Sequence, residues 1–164
     1  MNETARKERN KQRLGECFPV FAEKMAAVIR DLEDEGFRPR IQDAHRTIED
    51  QLLAFKKGNS RVKFGFHNVT GANKKPESLA VDILDDDHPI DPPRKYLIRL
   101  AGIAQAHDLQ TGIFFGLPAS LRDGLRKAIE DLNFTTNVKI GFDPTHVEVT
   151  GISISEAKAG KRPS

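Results

Sequence analysis

Among 164 residues there is one cysteine, one tyrosine and no tryptophan, and no apolar run approaches the roughly 18–20 residues of a membrane span. Cys17, being alone, excludes an intramolecular disulfide and a cysteine-built zinc cluster, and it reads as a core thiol. Nothing behind Met1 to Lys7 resembles the apolar core of a secretory signal. The expectation is therefore a chain made in the cytoplasm without a signal peptide, with no stable membrane insertion. Charge of one sign is scarce too, with 26 basic against 24 acidic residues. Residues 1–13 hold five basic and two acidic side chains and residues 156–164 hold three and one, so the ends carry +5 and the body about −3. A reader of duplex nucleic acid carries its basic face on the folded part. No nucleic-acid partner is expected, and the ends read as a basic flexible segment (1–13) and a flexible tail (156–164).

What is present suits one globular domain over residues 14–155, expected to be monomeric: 38% hydrophobic, 30% charged, ten phenylalanines. Phe18, Phe21, Met25, Val28, Ile29 and Leu32 recur at helical spacing ahead of Gly36 and predict a helix over about 18–35. Phe37 to Ala44 reads as extended. Thr47 followed by Asp50 predicts an N-cap for a second helix ending at Gly58. Residues 58–77 form a long loop, and Ser78 to Leu84 a buried strand. Pro92-Pro93 opens a third helix, Ser120 is read as the cap of a fourth, and Ile113-Phe114-Phe115 connects them. Thr145 to Ile154 alternates as a half-buried strand, with Val147 and Val149 on one face and His146 and Glu148 on the other. Without a regular βαβ rhythm, the class is α+β, a small, largely antiparallel sheet flanked by helices.

Asp82 stands out, because a carboxylate inside an apolar strand costs several kcal/mol to bury without a cation or strong donor. With His67 at the start of the long loop and His146 entering the last strand, it completes a set of two imidazoles and one carboxylate, sufficient for a catalytic zinc with one position left for water. The competing reading makes His67 a loop histidine, His146 a surface strand residue, and Asp82 a partner of Arg46 or a backbone amide.

Four segments in order, Arg46-Thr47-Ile48-Glu49-Asp50-Gln51, Phe66-His67-Asn68, Ser78-Leu79-Ala80-Val81-Asp82-Ile83 and Asp143-Pro144-Thr145-His146-Val147-Glu148, resemble the zinc D-alanyl-D-alanine carboxypeptidase and L-alanyl-D-glutamate endopeptidase family. That family includes the vancomycin-resistance dipeptidases and many phage endolysins, and the resemblance runs from Leu14 to Val149. It implies one zinc per chain on His67, Asp82 and His146, with Asp143 as catalytic acid/base and Arg46 holding the substrate carbonyl or its oxyanion. Glu148 would orient a ligand imidazole; Gln51, on the second helix, reads either as positioning Arg46 or the substrate or as a capped surface glutamine. The implied substrate is a peptidoglycan stem peptide, cut at a bond involving D-amino acids by a carboxypeptidase or endopeptidase. Such a protein reaches the wall after release, as a lysin does, or as a virion component. Two departures are visible. His67 and Asp82 are fifteen residues apart where the family's compact form has about seven, residues 70–77 reading as the insertion and Ser78 standing at a glycine's position. The tryptophan often preceding the catalytic acid is replaced by Phe142. An inactive member, kept as a structural or wall-binding part, is the alternative.

Other candidates have plainer roles. His45 and His107 read as structural or surface residues, and Asp85-Asp86-Asp87-His88 as a solvated turn or a second cation site. Phe114, Phe115 and Phe142 read as core or as groove walls.

Overall fold

The computed structural model describes residues 1–164. Its elements run α1 (Glu3–Leu14), α2 (Pro19–Asp34), β1 (Pro39–Asp43), α3 (Ile48–Lys56), β2 (Ala80–Asp85), α4 (Arg94–Ala106), β3 (Leu109–Gly112), α5 (Ala119–Glu130), β4 (Asp143–Val149) and α6 (Ile154–Lys158). The apolar stripe of α2 buries Phe21, Met25, Val28, Ile29 and Leu32, and Thr47 caps α3 by accepting from the Asp50 amide, both as the sequence pattern predicts. The fourth helix differs. Its cap is Pro118, and Ser120 lies inside the first turn of α5, because the extended Pro118 already delivers the chain into helix at Ala119. The edge strand β3 has no sequence signal. Leu-Gln-Thr-Gly is short and unpatterned, and the segment becomes a strand by pairing with β4.

The sheet order is β1-β2-β4-β3, and every neighbouring pair is antiparallel. The period-two rule assigns one face to Ile41, Val81, Ile83, Val147, Val149 and Leu109, all almost fully buried in one cluster with α2 and α4. The α+β reading therefore holds. Ala80 pairs with Glu148 and Asp82 with His146, so these side chains share the opposite face. Two irregularities shape that face. The register slips between Ile41 and Asp43, which brings Asp43 rather than Gln42 opposite Asp82. At the other edge Gly112 pairs with Asp143, and a Cβ there would overlap the Asp143 carbonyl oxygen, so the close approach requires glycine.

Both chain ends correct the sequence reading. Residues 3–14, expected as a flexible basic segment, form α1 with Arg6 only 1% exposed. Arg6 Nη1 donates to the Pro39 carbonyl at 2.6 Å, Asn10 accepts from the Ile41 amide at 2.8 Å, and Arg9 Nε donates to the Ile41 carbonyl at 2.8 Å. The basic residues serve the unpaired backbone edge of β1, a need that composition does not reveal. At the other end Ser153 and Glu156 form a capping box on α6, Ala157 is buried, and Arg162 binds Glu77 at 2.7 Å. The acidic turn is tied back to the body by ion pairs, with Asp87 and His88 still exposed to solvent. Asp86 sits on Arg40, Arg38 and the N-terminal amine, Asp87 pairs with Arg38, and Asp85 is buried against His88. His107 pairs with Asp31 at 2.7 Å.

Candidate metal centre

His67, Asp82 and His146 converge on the open face of the sheet, each offering one ligand atom within 4.8 Å of the others. The separations are 3.3 Å from His67 Nε2 to His146 Nδ1, 3.2 Å from His146 Nδ1 to Asp82 Oδ1 and 3.5 Å from His67 Nε2 to Asp82 Oδ2. Asp82 and His146 are cross-strand partners, so sheet register alone brings them together. His67 arrives on a single 3₁₀ turn, Phe66–Asn68, and the fifteen-residue excursion after it closes on itself. Thr70 pairs antiparallel with Pro76, the Glu77 amide donates to the Val69 carbonyl, and the Leu79 amide donates to the Phe66 carbonyl. The insertion is thus pinched off as a small hairpin, and the chain re-enters beside His67. Ser78, 0% exposed, holds this junction through its hydroxyl, which donates to the Ala80 carbonyl at 2.7 Å. It does not line the cleft.

The outer nitrogens decide what the inner ones present. His67 Nδ1 lies 2.6 Å from the Ala44 carbonyl, which only accepts, so the proton is on Nδ1 and the Nε2 lone pair faces the site. His146 Nε2 lies 3.1 Å from Glu148 Oε2, which leaves the Nδ1 lone pair inward. Gln110 donates to Glu148 Oε1 at 3.0 Å and fixes that carboxylate. Two lone pairs and a carboxylate aimed at one point repel one another unless a cation lies between them. Burial pushes His146 down, but the Asp82 and Glu148 carboxylates outweigh it and carry its pKa up to about 10. Burial likewise acts to raise Asp82, and its contacts with His146 and His67 prevail, holding it below the usual carboxylate range. The chemistry of this donor set fits a metal ion.

The centre opens into a cleft of about 510 Å³ whose lining includes Arg46, Arg61, Phe115, Phe142 and Asp143. Asp143 Oδ2 stands 3.9 Å from His146 Nδ1, and burial raises its pKa. Arg46 donates from Nη2 to Asp43 Oδ2 at 2.6 Å and from Nη1 to Gln51 Oε1 at 3.0 Å. Gln51 is thus a hydrogen-bond partner of Arg46 and is itself buried. Asp43 carries no sequence signal, since only the register slip in β1 places it here. Of the three phenylalanines, Phe115 and Phe142 wall the cleft, whereas Phe114 packs against the core beside Arg126. His45 stays outside.

No family model matches the sequence, and no curated protein sequence matches it either. The fold is similar to that of the L-Ala D-Glu endopeptidase ChiX of Serratia marcescens, with a TM-score of 0.54 over 87% of this chain and 86% of that one. At 13% identity the likeness is one of fold.

Proposed function

We propose that this protein is a zinc-dependent peptidase that hydrolyses a peptide bond next to a D-amino acid in the stem of bacterial peptidoglycan. The observation that carries the reading is the geometry of the three inner ligand atoms. Ligands at about 2.0–2.2 Å in a tetrahedron lie about 3.3–3.6 Å apart; His67 Nε2 and His146 Nδ1 stand 3.3 Å apart, and the Asp82 carboxylate lies against both, Oδ1 3.2 Å from His146 and Oδ2 3.5 Å from His67. A fold shared with an L-Ala D-Glu endopeptidase supports the substrate class.

Zinc bound there supplies Lewis acidity toward the scissile carbonyl and acidifies water. The remaining work falls to the chain. Asp143, beside His146 and with its pKa raised by burial, accepts the proton of the attacking water and returns it to the leaving amine. Arg46 has two of its donors spent on Asp43 and Gln51, which fixes the fork and leaves its other N–H groups for the oxyanion. Phe115 and Phe142 form an apolar wall on one side of the cleft.

Incubation of zinc-loaded protein with isolated peptidoglycan should release new amino termini, and a chelator should stop the release. Asp143→Ala should lower turnover by about 10²–10⁴-fold with zinc still bound by elemental analysis. No release by the zinc-loaded protein would overturn the peptidase reading, and full turnover in the variant would remove Asp143 from its role.

A further inference from the structure

The cleft holds two guanidinium groups in different circumstances. Arg46 is neutralised by Asp43. Arg61 forms no ion pair or hydrogen bond with any side chain, and Asp143, one residue from the ring on which Arg61 rests, pairs with His146 instead. We propose that Arg61 reads a carboxylate on the substrate, a role that rests on the peptidase reading above.

The placement of Arg61 is built from both sides. Gln51, 2% exposed, donates from Nε2 to Ser60 Oγ and to the Val62 carbonyl, each at 2.7 Å, so the residues flanking Arg61 are tied to α3. Across the cleft, the Arg61 guanidinium carbon lies 3.8 Å from the centroid of the Phe142 ring. That ring is itself held. The Phe142 amide donates to the Phe115 carbonyl at 3.0 Å, the Gly141 amide donates to the Ile113 carbonyl at 2.6 Å, and the ring edge lies so close to Gly116 that a Cβ there would be 2.8 Å away. A guanidinium stacked on an aromatic face spends its π-surface on the ring and keeps its N–H edges free in the plane. Those edges match the two oxygens of a carboxylate, and an unpaired cation beside a cleft is where an anionic group gains most. A stem peptide offers two such groups, the α-carboxylate of a γ-linked D-glutamyl residue and the carboxylate at its C-terminal end.

The test is calorimetric binding to zinc-loaded Asp143→Asn protein, in which hydrolysis is blocked. The probes are the stem tetrapeptide L-Ala-γ-D-Glu-L-Lys-D-Ala and its two single amides, one at the D-glutamyl carboxylate and one at the C-terminus. Amidation of one carboxylate should weaken binding by about ten- to a hundredfold, and Arg61→Gln should bring that acid-over-amide ratio close to one. The amide that matters identifies the carboxylate. A ratio near one with Arg61 present, a ratio unchanged in Arg61→Gln, or no binding of any probe would overturn the assignment. Digestion of whole peptidoglycan by the wild-type protein separates the two readings. Acid preference without digestion retains Arg61 and removes the peptidase, whereas digestion without acid preference does the reverse.

Discussion

Replacing Asn10 by alanine tests whether α1 closes the sheet. The Asn10 side chain is buried, and it serves two backbone groups on the outer edge of β1: Oδ1 accepts from the Ile41 amide at 2.8 Å and Nδ2 donates to the Pro39 carbonyl at 2.9 Å. These losses differ in weight. The Pro39 carbonyl keeps its 2.6 Å bond from Arg6 Nη1, so it remains satisfied in the variant. Ile41 is 0% exposed and turns both backbone groups toward α1, its carbonyl to Arg9 and its amide to Asn10. Alanine leaves that amide buried without an acceptor, which costs about 1–3 kcal/mol. For a chain of this length each kcal/mol lowers Tm by roughly 2–4 °C, so the midpoint should fall by about 4–8 °C for a loss near 2 kcal/mol. Thermal and urea unfolding followed by circular dichroism measure the loss, and hydrogen exchange localises it, with the Ile41 amide losing more protection than the amides pairing β2 with β4. A Tm within about 1 °C of wild type, with Ile41 protection unchanged, would refute the argument that the basic N-terminal helix is an edge cap.

Two further expectations concern the site and its surroundings. Glu148→Ala removes the acceptor that fixes the His146 tautomer, and zinc affinity measured by competition with a chromogenic chelator should fall by about 10–100-fold; an affinity within twofold of wild type would show that Glu148 does not orient the ligand. His45 has a buried Nε2 without a partner, and burial holds its pKa below the ordinary histidine range. The unfolded chain therefore takes up the proton more readily than the native one, and His45 lowers stability as the pH falls through about 6.5. Urea unfolding between pH 7.5 and 5.5 should show a smaller loss of stability on acidification in His45→Gln than in wild type, and identical pH slopes would contradict this.

Helices α2 and α3 were legible because their signals are local. The α2 stripe and the Thr47 cap arise from residues three or four apart, and local physics places them. The alternation of β4 told which residues share a face with His146, and the chemical oddity of Asp82 in an apolar strand marked it as needing a cation. Donor types and their order along the chain thus pointed to His67, Asp82 and His146.

Whether those three could meet is a question of register and closure, and only the tertiary structure decides it. Asp82 and His146 meet because β2 and β4 pair in one register out of several that the pattern allows. His67 returns to them because Thr70 and Pro76 pinch off the insertion, a pairing across a polar loop that no periodicity announces. Asp43 reaches Arg46 through a single slip in β1, and Arg61 finds Phe142 across a cleft whose walls lie about eighty residues apart in the chain. The basic N-terminal residues read as a solvated tail because their acceptors, the free backbone edge of β1, exist only once the sheet has formed. The sequence by itself marked the side chains able to offer metal-ligand atoms and the helical segments α2 and α3, since both are written in residue type and short spacing. Long-range pairing decided which of those side chains share a site, because backbone hydrogen bonds between distant strands depend on geometry that neither strand encodes alone.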